Sequence, residues 1–318
     1  MKIVILDAKT LGEDTSLAPI ESLGECVVFP NASDEDIPAL LEDADVCVTN
    51  KKVLNEQTLY AAKKLSLICL CATGYNNVDI EYCKSRGIRV RNVRGYSSES
   101  VAQHTFALAL SLMESISYYD NFCKSGAYTE SGLANHIGRP YVEISNKRWG
   151  IIGMGQIGRK VAAIAEAMGA EVSYASVSGA ERKENYAQVT METLLSQSDI
   201  ISLHSPLTEH TQGIIDGAAI AKMKRTAVLI NVARGAIVDS HALASAIDDG
   251  RIYGAGIDVY EREPMEKDHP FLTMKKKDRI VLTPHIAWAS KEARARCVIK
   301  VAENIEAYFA GKEINDLW

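Results

Sequence analysis

Short apolar runs alternate with polar stretches up to about residue 95 of the chain. Runs of about four to eight apolar and β-branched residues, separated by helical segments, are typical of buried strands in a parallel sheet. The runs are KIVILD (2–7), CVVFP (26–30), DVCVTN (45–50), LICLCAT (67–73) and RVRNV (89–93). Asn55 can cap one of the helices between them, because the apolar spacing that follows it is helical. The pattern predicts a small α/β domain with its own sheet.

The segment from Ser98 to Tyr119 has helical spacing. It contains neither Gly nor Pro, which predicts one long helix of about six turns at about 3.6 residues per turn. Residues 120–147 then contain glycines and a proline with little periodicity, and a stretch of this length is unusual for a simple connection. An extended arm that packs on another subunit explains it, so we expect a homodimer.

A second series of strands begins after this arm. It alternates with helical stretches in the same way and predicts a doubly wound Rossmann sheet. The six runs are WGIIG (149–153), EVSYAS (171–176), IISLH (200–204), AVLINV (227–232), GAGID (254–258) and RIVLTP (279–284). A last helix follows at about 291–311 with no strand after it, and we expect it to return to the first domain.

The expected fold is therefore α/β with two Rossmann-like domains, a doubly wound dinucleotide-binding domain inserted into a smaller flavodoxin-like substrate domain. The substrate domain is predicted to be discontinuous and to comprise residues 1–97 and 290–318. The dinucleotide-binding domain is predicted over 98–289, with the long helix at 98–119 and the dimer arm at 120–147.

Composition narrows the function classes. The 318 residues are 47% hydrophobic and 24% charged, as in ordinary globular proteins, and no apolar run approaches the roughly 18 residues of a membrane span. The net charge of −6 argues against a nucleic-acid surface. The start MKIVILDAKT lacks the features of a signal peptide. Seven cysteines without a CxxC pair favour reduced thiols in a cytoplasmic protein, and the histidines have no metal-ligand spacing.

The sequence GMGQIG at 153–158 is a Gly-x-Gly-x-x-Gly fingerprint that follows an apolar strand and opens a helix. In this context Gly153 allows a tight turn, Gly155 lets backbone amides approach a pyrophosphate, and Gly158 lets the helix pack closely on the strand. The N-terminus of the helix, at Gln156 and Ile157, adds positive potential for the phosphates. The fingerprint predicts that the second domain binds NAD or NADP.

The acidic residue that usually holds the adenosine ribose is missing. The second strand of the domain ends in Ala175 and Ser176 where an Asp or Glu is expected. Ser176, Ser178, Arg182 and Lys183 are near enough to meet a 2′-phosphate, so NADP(H) is admissible. The alternative is that NAD(H) binds without its usual anchor, and the residues leave the choice open.

Three polar residues come directly after predicted strands of the second domain. Arg234 follows AVLINV, Glu263 follows GAGIDVY and His285 ends RIVLTP. Ligands of open α/β sheets bind at the carboxyl ends of the strands, so these side chains can converge there. A single Arg, Glu or His is more often a solvated or core residue, but the three together with a dinucleotide fingerprint favour an active site.

The motifs together resemble the D-isomer-specific 2-hydroxyacid dehydrogenase family, nearest its glycerate dehydrogenase or hydroxypyruvate reductase branch. The resemblance covers essentially the whole chain, and one departure is Gln103, where the family usually has Glu. The motifs that carry it are ATGYNNVD (72–79), SVAQHT (100–105), GMGQIG (153–158), LHSPLT (203–208), NVARG (231–235), DVYEREP (258–264) and PHIAWAS (284–290).

The resemblance implies a role for each strand-end residue. Arg234 is expected to bind the substrate carboxylate and carbonyl, Glu263 to orient the imidazole, and His285 to donate the proton in reduction. Physical chemistry agrees, because arginine offers a planar fork of donors to a carboxylate and a carboxylate beside histidine favours the charged imidazolium. General acid help of this kind is typically worth about 10² to 10⁴ in rate.

The resemblance also implies further contacts. Asp258 and the backbone at Val232 and Ala233 are expected on the nicotinamide side. The expected adenosine-side or loop contacts are His204, Pro206 and Thr211, and the backbone amides of Thr73 and Gly74 are expected to meet the carboxylate from the first domain. From the residues themselves, Trp288 and Tyr96 can line the substrate pocket or simply pack in the core, and His104 is interpreted as a core or interface histidine.

The sequence therefore predicts a cytoplasmic dehydrogenase that transfers hydride between NAD(P)H and a small 2-keto acid, such as hydroxypyruvate or glyoxylate. Two alternatives stay open. One is a non-enzymatic NAD(H)-sensing corepressor with the same fold, and the other is a relative that acts on another small anion. Fold alone does not name the substrate.

Overall fold

The computed structural model describes residues 1–179 and 183–318 and divides the chain into two compact units. The first unit comprises Met1–Ser97 and Trp288–Trp318, and the second comprises Ser98–Ala287. The later boundary lies two residues earlier than the sequence placed it, so that Trp288 belongs to the first unit. No helix within the described residues combines the length and the apolar character needed to cross a bilayer.

The first unit is built on a five-stranded parallel sheet of order β2-β1-β3-β4-β5. Its strands are β1 (Lys2–Ile5), β2 (Glu25–Val28), β3 (Val46–Thr49), β4 (Leu67–Leu70) and β5 (Arg89–Arg91). The helices between them are α1 (Ala18–Glu21), α2 (Ile37–Leu40), α3 (Glu56–Leu59) and α4 (Ile80–Ser85), with a 3₁₀ turn at Ala8–Leu11. This strand order is that of flavodoxin-like domains, which confirms the predicted fold class.

Alternate residues of these strands face two separate cores, because successive side chains of a strand point to opposite faces. Ile3 and Ile5 of β1 lie in one core with Cys297, Val298 and Val301 of the C-terminal helix, Lys291–Phe309. The opposite core collects the remaining strand residues with the buried side chains of α2 and α3. Nearly continuous apolar runs such as LICL follow from this burial on both faces.

The second unit contains a seven-stranded parallel sheet of order β12-β11-β10-β9-β6-β7-β8. The strands are β6 (Arg148–Ile152), β7 (Glu171–Ala175), β8 (Ala187–Gln188), β9 (Ile200–Leu203), β10 (Val228–Asn231), β11 (Gly254–Ile257) and β12 (Ile280–Leu282). The order is that of a doubly wound dinucleotide-binding domain, with the reversal between β6 and β9. The sequence predicted six strands and missed β8, which has only two residues, both exposed.

The helices of the second unit differ from the prediction around residue 115. They are α5 (Ser98–Met113), α6 (Ile116–Lys124), α7 (Ala127–Ser131), α8 (Gln156–Ala167), α9 (Met191–Gln197), α10 (Gly217–Ala221), α11 (Ser240–Asp248) and α12 (Pro270–Thr273), with 3₁₀ turns at Gly235–Ile237 and Lys277–Arg279. The prediction of one helix over 98–119 is wrong, because Ser115 adopts a left-handed φ of 52° that separates α5 from α6. The predicted arm at 120–147 accordingly begins inside a helix and contains α7.

Candidate active site

Three neighbouring strands of the second sheet bring the catalytic candidates to one edge. β10 pairs with β11, and β11 pairs with β12, all in parallel. Arg234, Glu263 and His285 follow these strands in that order, so each lies beyond a carboxyl end. Parallel neighbours end at the same edge of a sheet, and this is the edge at which such sheets bind ligands.

His285 and Glu263 are in direct contact. Nδ1 of His285 lies 2.6 Å from Oε2 of Glu263, and both side chains are partly exposed. The other carboxylate oxygen accepts a hydrogen bond from the amide of Tyr260 at 3.2 Å, which fixes the orientation of the carboxylate. An ionised carboxylate only accepts, so Nδ1 carries the proton in this pair and Nε2 is the nitrogen that can exchange a proton with a substrate.

The backbone of His285 has an unusual conformation. Its φ is 56°, in the left-handed region that non-glycine residues seldom adopt. The amide of His285 donates to the carbonyl oxygen of Asp258 at 2.7 Å and to that of Thr283 at 3.1 Å, which holds the turn. Residues in such conformations persist where the surroundings over-determine them, and they cluster at functional sites.

Asp258 lies beneath this turn with no exposed surface. Its carboxylate accepts hydrogen bonds from the amides of Ile286 and Ala287 and from the hydroxyl of Thr283. The sequence resemblance implied a contact on the nicotinamide side for Asp258. The bonds in the structure are with the loop that carries His285, and contact with a nicotinamide stays a prediction.

The loop with Arg234 lies against the loop with Glu263. A Cβ atom on Gly235 would collide with the backbone of Tyr260 and Glu261, so this close approach requires glycine. Asn231 shapes the turn before it, because its Oδ1 accepts from the amide of Ala233 and its Nδ2 donates to the carbonyl oxygen of Arg234, both at 3.0 Å. The motif NVARG therefore holds the half-buried Arg234 beside the Glu263 loop.

The fingerprint glycines have distinct surroundings. Gly153 has a φ of 99°, and a Cβ there would meet the backbone of His204 and Ser205. A Cβ on Gly158 would meet the carbonyl oxygen of Gly153, whereas a Cβ on Gly155 would meet no atom of residues 1–179 and 183–318 within 4 Å. Gly155 is the N-cap residue of α8 and provides no side-chain cap, so the first amides of this helix, including those of Gln156 and Ile157, are open to an anion.

Two buried polar side chains lie beside Gly153. Both ring nitrogens of His204 and the hydroxyl of Ser205 are buried without a hydrogen-bond partner among the described residues. Burial lowers the pKa of His204 to about 3, so the ring is neutral near pH 7. Open space over Gly155, uncapped amides of α8 and unpartnered polar atoms nearby together fit a dinucleotide.

The end of β7 has the residues that the sequence indicated. Ala175 is buried, Ser176 is half-buried, and the hydroxyls of Ser176 and Ser178 lie 3.3 Å apart. Lys183 is exposed, and Arg182 lies outside the described residues. The sequence reasoning missed Arg159, which follows Gly158 directly and forms a two-pronged ion pair with Glu184 at 2.6–3.1 Å.

The remaining cofactor candidates lie in the loops that follow β9 and β10. Thr211 is buried, and its hydroxyl donates to the carbonyl oxygen of Pro206 at 2.7 Å and accepts from the amide of Thr208 at 2.7 Å. Val232 and Ala233 are buried in the turn before Arg234. Their contacts with a cofactor stay predictions.

The other substrate candidates belong to the first unit. Thr73 is exposed, and its hydroxyl donates to the carbonyl oxygen of Val93 at 2.8 Å; Gly74, next to it, is half-buried. Tyr96 is only 4% exposed and meets Trp288 edge-on, with ring centroids 6.2 Å apart. Both aromatic rings pack on the core under the C-terminal helix, so the structure gives them a packing role, and contact with substrate stays a prediction.

Metal binding was not expected from the sequence. Within residues 1–179 and 183–318, no group of three or more His, Cys, Asp or Glu side chains is arranged to hold a metal ion. Two histidines outside the site have other partners. His136 stacks on Phe122 and forms a hydrogen bond with the Tyr118 hydroxyl, and His269 lies 3.2 Å from Glu261.

Comparison with known proteins agrees with this geometry. The family model described as D-isomer specific 2-hydroxyacid dehydrogenase, NAD binding domain, matches residues 106–287. A hydroxypyruvate reductase from Blautia hydrogenotrophica is 35% identical over 99% of both chains, and a glycerate dehydrogenase from Methylorubrum extorquens is 36% identical over 99% of this chain and 98% of that protein. The solved structure of an acyclic imino acid reductase in complex with NADPH and D-Arg is 32% identical over 100% of both chains, with a TM-score of 0.88.

Proposed function

Because the chain belongs to the D-isomer specific 2-hydroxyacid dehydrogenase family, we propose that it reduces a small 2-keto acid to the D-2-hydroxy acid and catalyses the reverse oxidation. The enzyme class follows from the family: an NAD(P)-dependent oxidoreductase that acts on a CH–OH group. Hydroxypyruvate and glyoxylate are the proposed substrates, and the names of the relatives support both of them.

The contact between His285 and Glu263 is the main structural support for the proposed reduction of a 2-keto acid. The 2.6 Å pair leaves Nε2 of His285 to give a proton to the carbonyl oxygen during reduction and to take it back during oxidation. Arg234 is proposed to bind the substrate carboxylate with its planar fork and to stabilise the charge that grows on the carbonyl oxygen. When bound, the dihydronicotinamide supplies the hydride.

A substrate panel tests this function. Hydroxypyruvate, glyoxylate, pyruvate and branched-chain keto acids are offered with NADH and with NADPH, and the configuration of each chiral product is determined. His285→Ala should lower kcat by about 10² to 10⁴. The matched control is His241→Ala, which removes an exposed histidine from α11. Near-normal turnover in His285→Ala would reject the assigned role, and no turnover of any keto acid by the unaltered protein would reject the function.

We propose further that NADPH serves alongside NADH. The support is the lack of a carboxylate at Ala175 and Ser176, together with the hydroxyls of Ser176 and Ser178 and the exposed ammonium of Lys183. Ser176→Asp should lower kcat/KM for NADPH by at least about tenfold and spare NADH, because it adds the charge that repels a 2′-phosphate. A preference of the unaltered protein for NADH above about a hundredfold in kcat/KM would overturn this proposal.

Reduction of a 2-imino acid is a second candidate activity. It is favoured by the 32% identity to the imino acid reductase, which covers the full length of this chain. The same panel, repeated with ammonium ions or an amine beside each keto acid, separates the two activities. Consumption of NADPH that requires the amine supports imine reduction, and consumption that the amine leaves unchanged supports the keto acid.

We also propose a homodimer in the cytoplasm. Between residues 116 and 142, six large apolar side chains are exposed: Ile116, Tyr128, Leu133, Ile137, Tyr141 and Val142. An apolar surface of this kind supports contact with a second copy. All seven cysteines are free thiols, which a reducing compartment maintains. Sedimentation should give a dimer for the unaltered chain and a monomer for Ile137→Asp, and a monomer in both cases would contradict the proposal.

A further inference from the structure

The loop from Thr283 to Ala287 carries the proposed proton donor in a strained conformation. His285 at its centre has a φ of 56°, which is unfavourable for a residue with a Cβ atom. A turn of this kind keeps its shape only if neighbouring groups hold it. The position of Nε2 of His285 therefore depends on what bonds to the two ends of the loop.

Asp258 bonds to the loop from below. Oδ1 accepts from the amide of Ile286 at 2.8 Å and from the hydroxyl of Thr283 at 2.6 Å, and Oδ2 accepts from the amide of Ala287 at 2.9 Å. The carboxylate has no exposed surface, so hydrogen bonds to it are charge-assisted and little screened.

One face of α5 bonds to both ends of the same loop. Ser100 and His104 are four residues apart, which puts them on the same side of the helix. The hydroxyl of Ser100 donates to the carbonyl oxygen of Ala287 at 2.6 Å, and Nε2 of His104 lies 3.0 Å from the hydroxyl of Thr283. Helix α5 thereby forms hydrogen bonds with the first residue of the loop, Thr283, and with its last residue, Ala287.

The direction of the hydrogen bonds fixes the state of His104. Thr283 has one hydroxyl proton, which it gives to Asp258, so its oxygen accepts from the Nε2–H of His104. Burial lowers the pKa of His104 below its usual value, and the carboxylate of Asp258, 3.7 Å away, offsets part of this effect. A neutral ring protonated at Nε2 fits these partners.

We propose that Ser100 and His104 are positioning residues that clamp the 283–287 loop and so fix Nε2 of His285 for proton transfer. The proposal rests on the proposed role of His285. It assigns a function to the SVAQHT motif, since His104 acts on the reaction through Thr283 and without touching the substrate. Misplacement of a catalytic group by even about 1 Å can cost on the order of a hundredfold in rate.

A double-mutant cycle between His104→Leu and Thr283→Val tests the clamp. Each single variant should lower the single-turnover rate of keto acid reduction by about tenfold to a hundredfold, while KM for the keto acid changes by less than about threefold. The double variant should lose no more than about threefold beyond the worse single variant, because both single variants remove the same hydrogen bond between His104 and Thr283. His104→Gln, which keeps a donor in reach, should restore most of the rate.

Controls separate positioning from general destabilisation. Gln103→Ala changes the neighbouring exposed residue of α5 and should leave the rate unchanged. If His104→Leu does not fold, Ser100→Ala removes the other half of the clamp with a small truncation and should lower the rate by about threefold to tenfold. Additive losses in the cycle, no rescue by His104→Gln, or losses confined to KM would overturn the proposal.

Hydrogen exchange gives a readout that does not depend on activity. The amides of Ile286 and Ala287 bond to Asp258 and should exchange slowly in the unaltered protein and markedly faster in His104→Leu. Unchanged exchange in that variant would reject the clamp even if no keto acid is turned over. Faster exchange in His104→Leu, together with an unaltered protein that turns over no keto acid, would reject the proposed function and leave the clamp standing.

Discussion

Alanine substitution at Gly155 should mainly weaken cofactor binding, whereas alanine substitution at Gly158 should mainly destabilise the fold. A Cβ atom at position 155 meets no atom of the part of the chain that the structure describes within 4 Å, and the φ of −89° there suits any residue. A Cβ at position 158 meets the carbonyl oxygen of Gly153. The first substitution therefore fills space that the protein leaves open, and the second forces α8 away from the preceding turn.

The expected magnitudes follow from these surroundings. Gly155→Ala replaces a helix N-cap and should cost at most about 1 kcal/mol of stability. Gly158→Ala overpacks a tight contact and should cost about 1–3 kcal/mol. A methyl group over the start of α8 would keep a pyrophosphate from the uncapped amides, and losing two hydrogen bonds to a charged group at about 1.5–3 kcal/mol each predicts at least a hundredfold weaker cofactor binding.

Two measurements on each variant check this prediction. Thermal unfolding without cofactor reports stability, and the fluorescence change on titration with NADH or NADPH reports the dissociation constant. Gly155→Ala should melt close to the unaltered protein and bind the cofactor poorly. If Gly155→Ala binds the cofactor with normal affinity, the dinucleotide does not occupy the space over this glycine, and the dinucleotide site assigned to the start of α8 is wrong.

Two further substitutions test other contacts. Gly235→Ala should lower kcat/KM about a hundredfold, because its Cβ displaces the Arg234 loop from the backbone of Tyr260. The control is Gly217→Ala, where the added Cβ makes only an ordinary contact and activity should be unchanged. Equal activities of the two variants would show that the close approach of the loops is unimportant. Arg294 lowers the pKa of Asp14 from 3.8 to about 2, so the pair stabilises the fold above pH 3.8 and this stability is lost as pH falls through 2. Asp14→Asn should therefore melt lower than the unaltered protein at pH 5, and the gap should shrink as the pH falls toward 2. A gap as large at pH 2 as at pH 5 would refute the ion pair as its cause.

The sequence predicted most of the sheet architecture because each buried strand is a compact apolar run with helical spacing beside it. LICL and VLIN are fully buried on both faces, and this leaves an unambiguous pattern. β8 could not be found this way, since Ala187 and Gln188 are exposed and carry no apolar signal. The break after α5 was also invisible, because Ser115 adopts its left-handed conformation without a Gly or Pro to mark it.

The sequence predicted the site residues that follow strands, but it could not predict contacts between residues that are far apart along the chain. Arg234, Glu263 and His285 each follow an apolar run, so their shared edge could be read from the chain. The bond between His104 and Thr283 joins residues 179 positions apart, and no local pattern encodes it. Such side chains look like ordinary core or surface residues until tertiary structure brings their partners together.

The discontinuity of the first unit has a consequence for synthesis on the ribosome. The second unit, Ser98–Ala287, is one uninterrupted segment and can fold as soon as it leaves the exit tunnel. The first sheet emerges earlier but lacks the helix that covers Ile3 and Ile5 until Lys291–Phe309 has been synthesised. During that interval the apolar face of the first sheet is exposed to solvent. Chaperones can bind this face in the nascent chain, whereas in the folded protein the helix covers it.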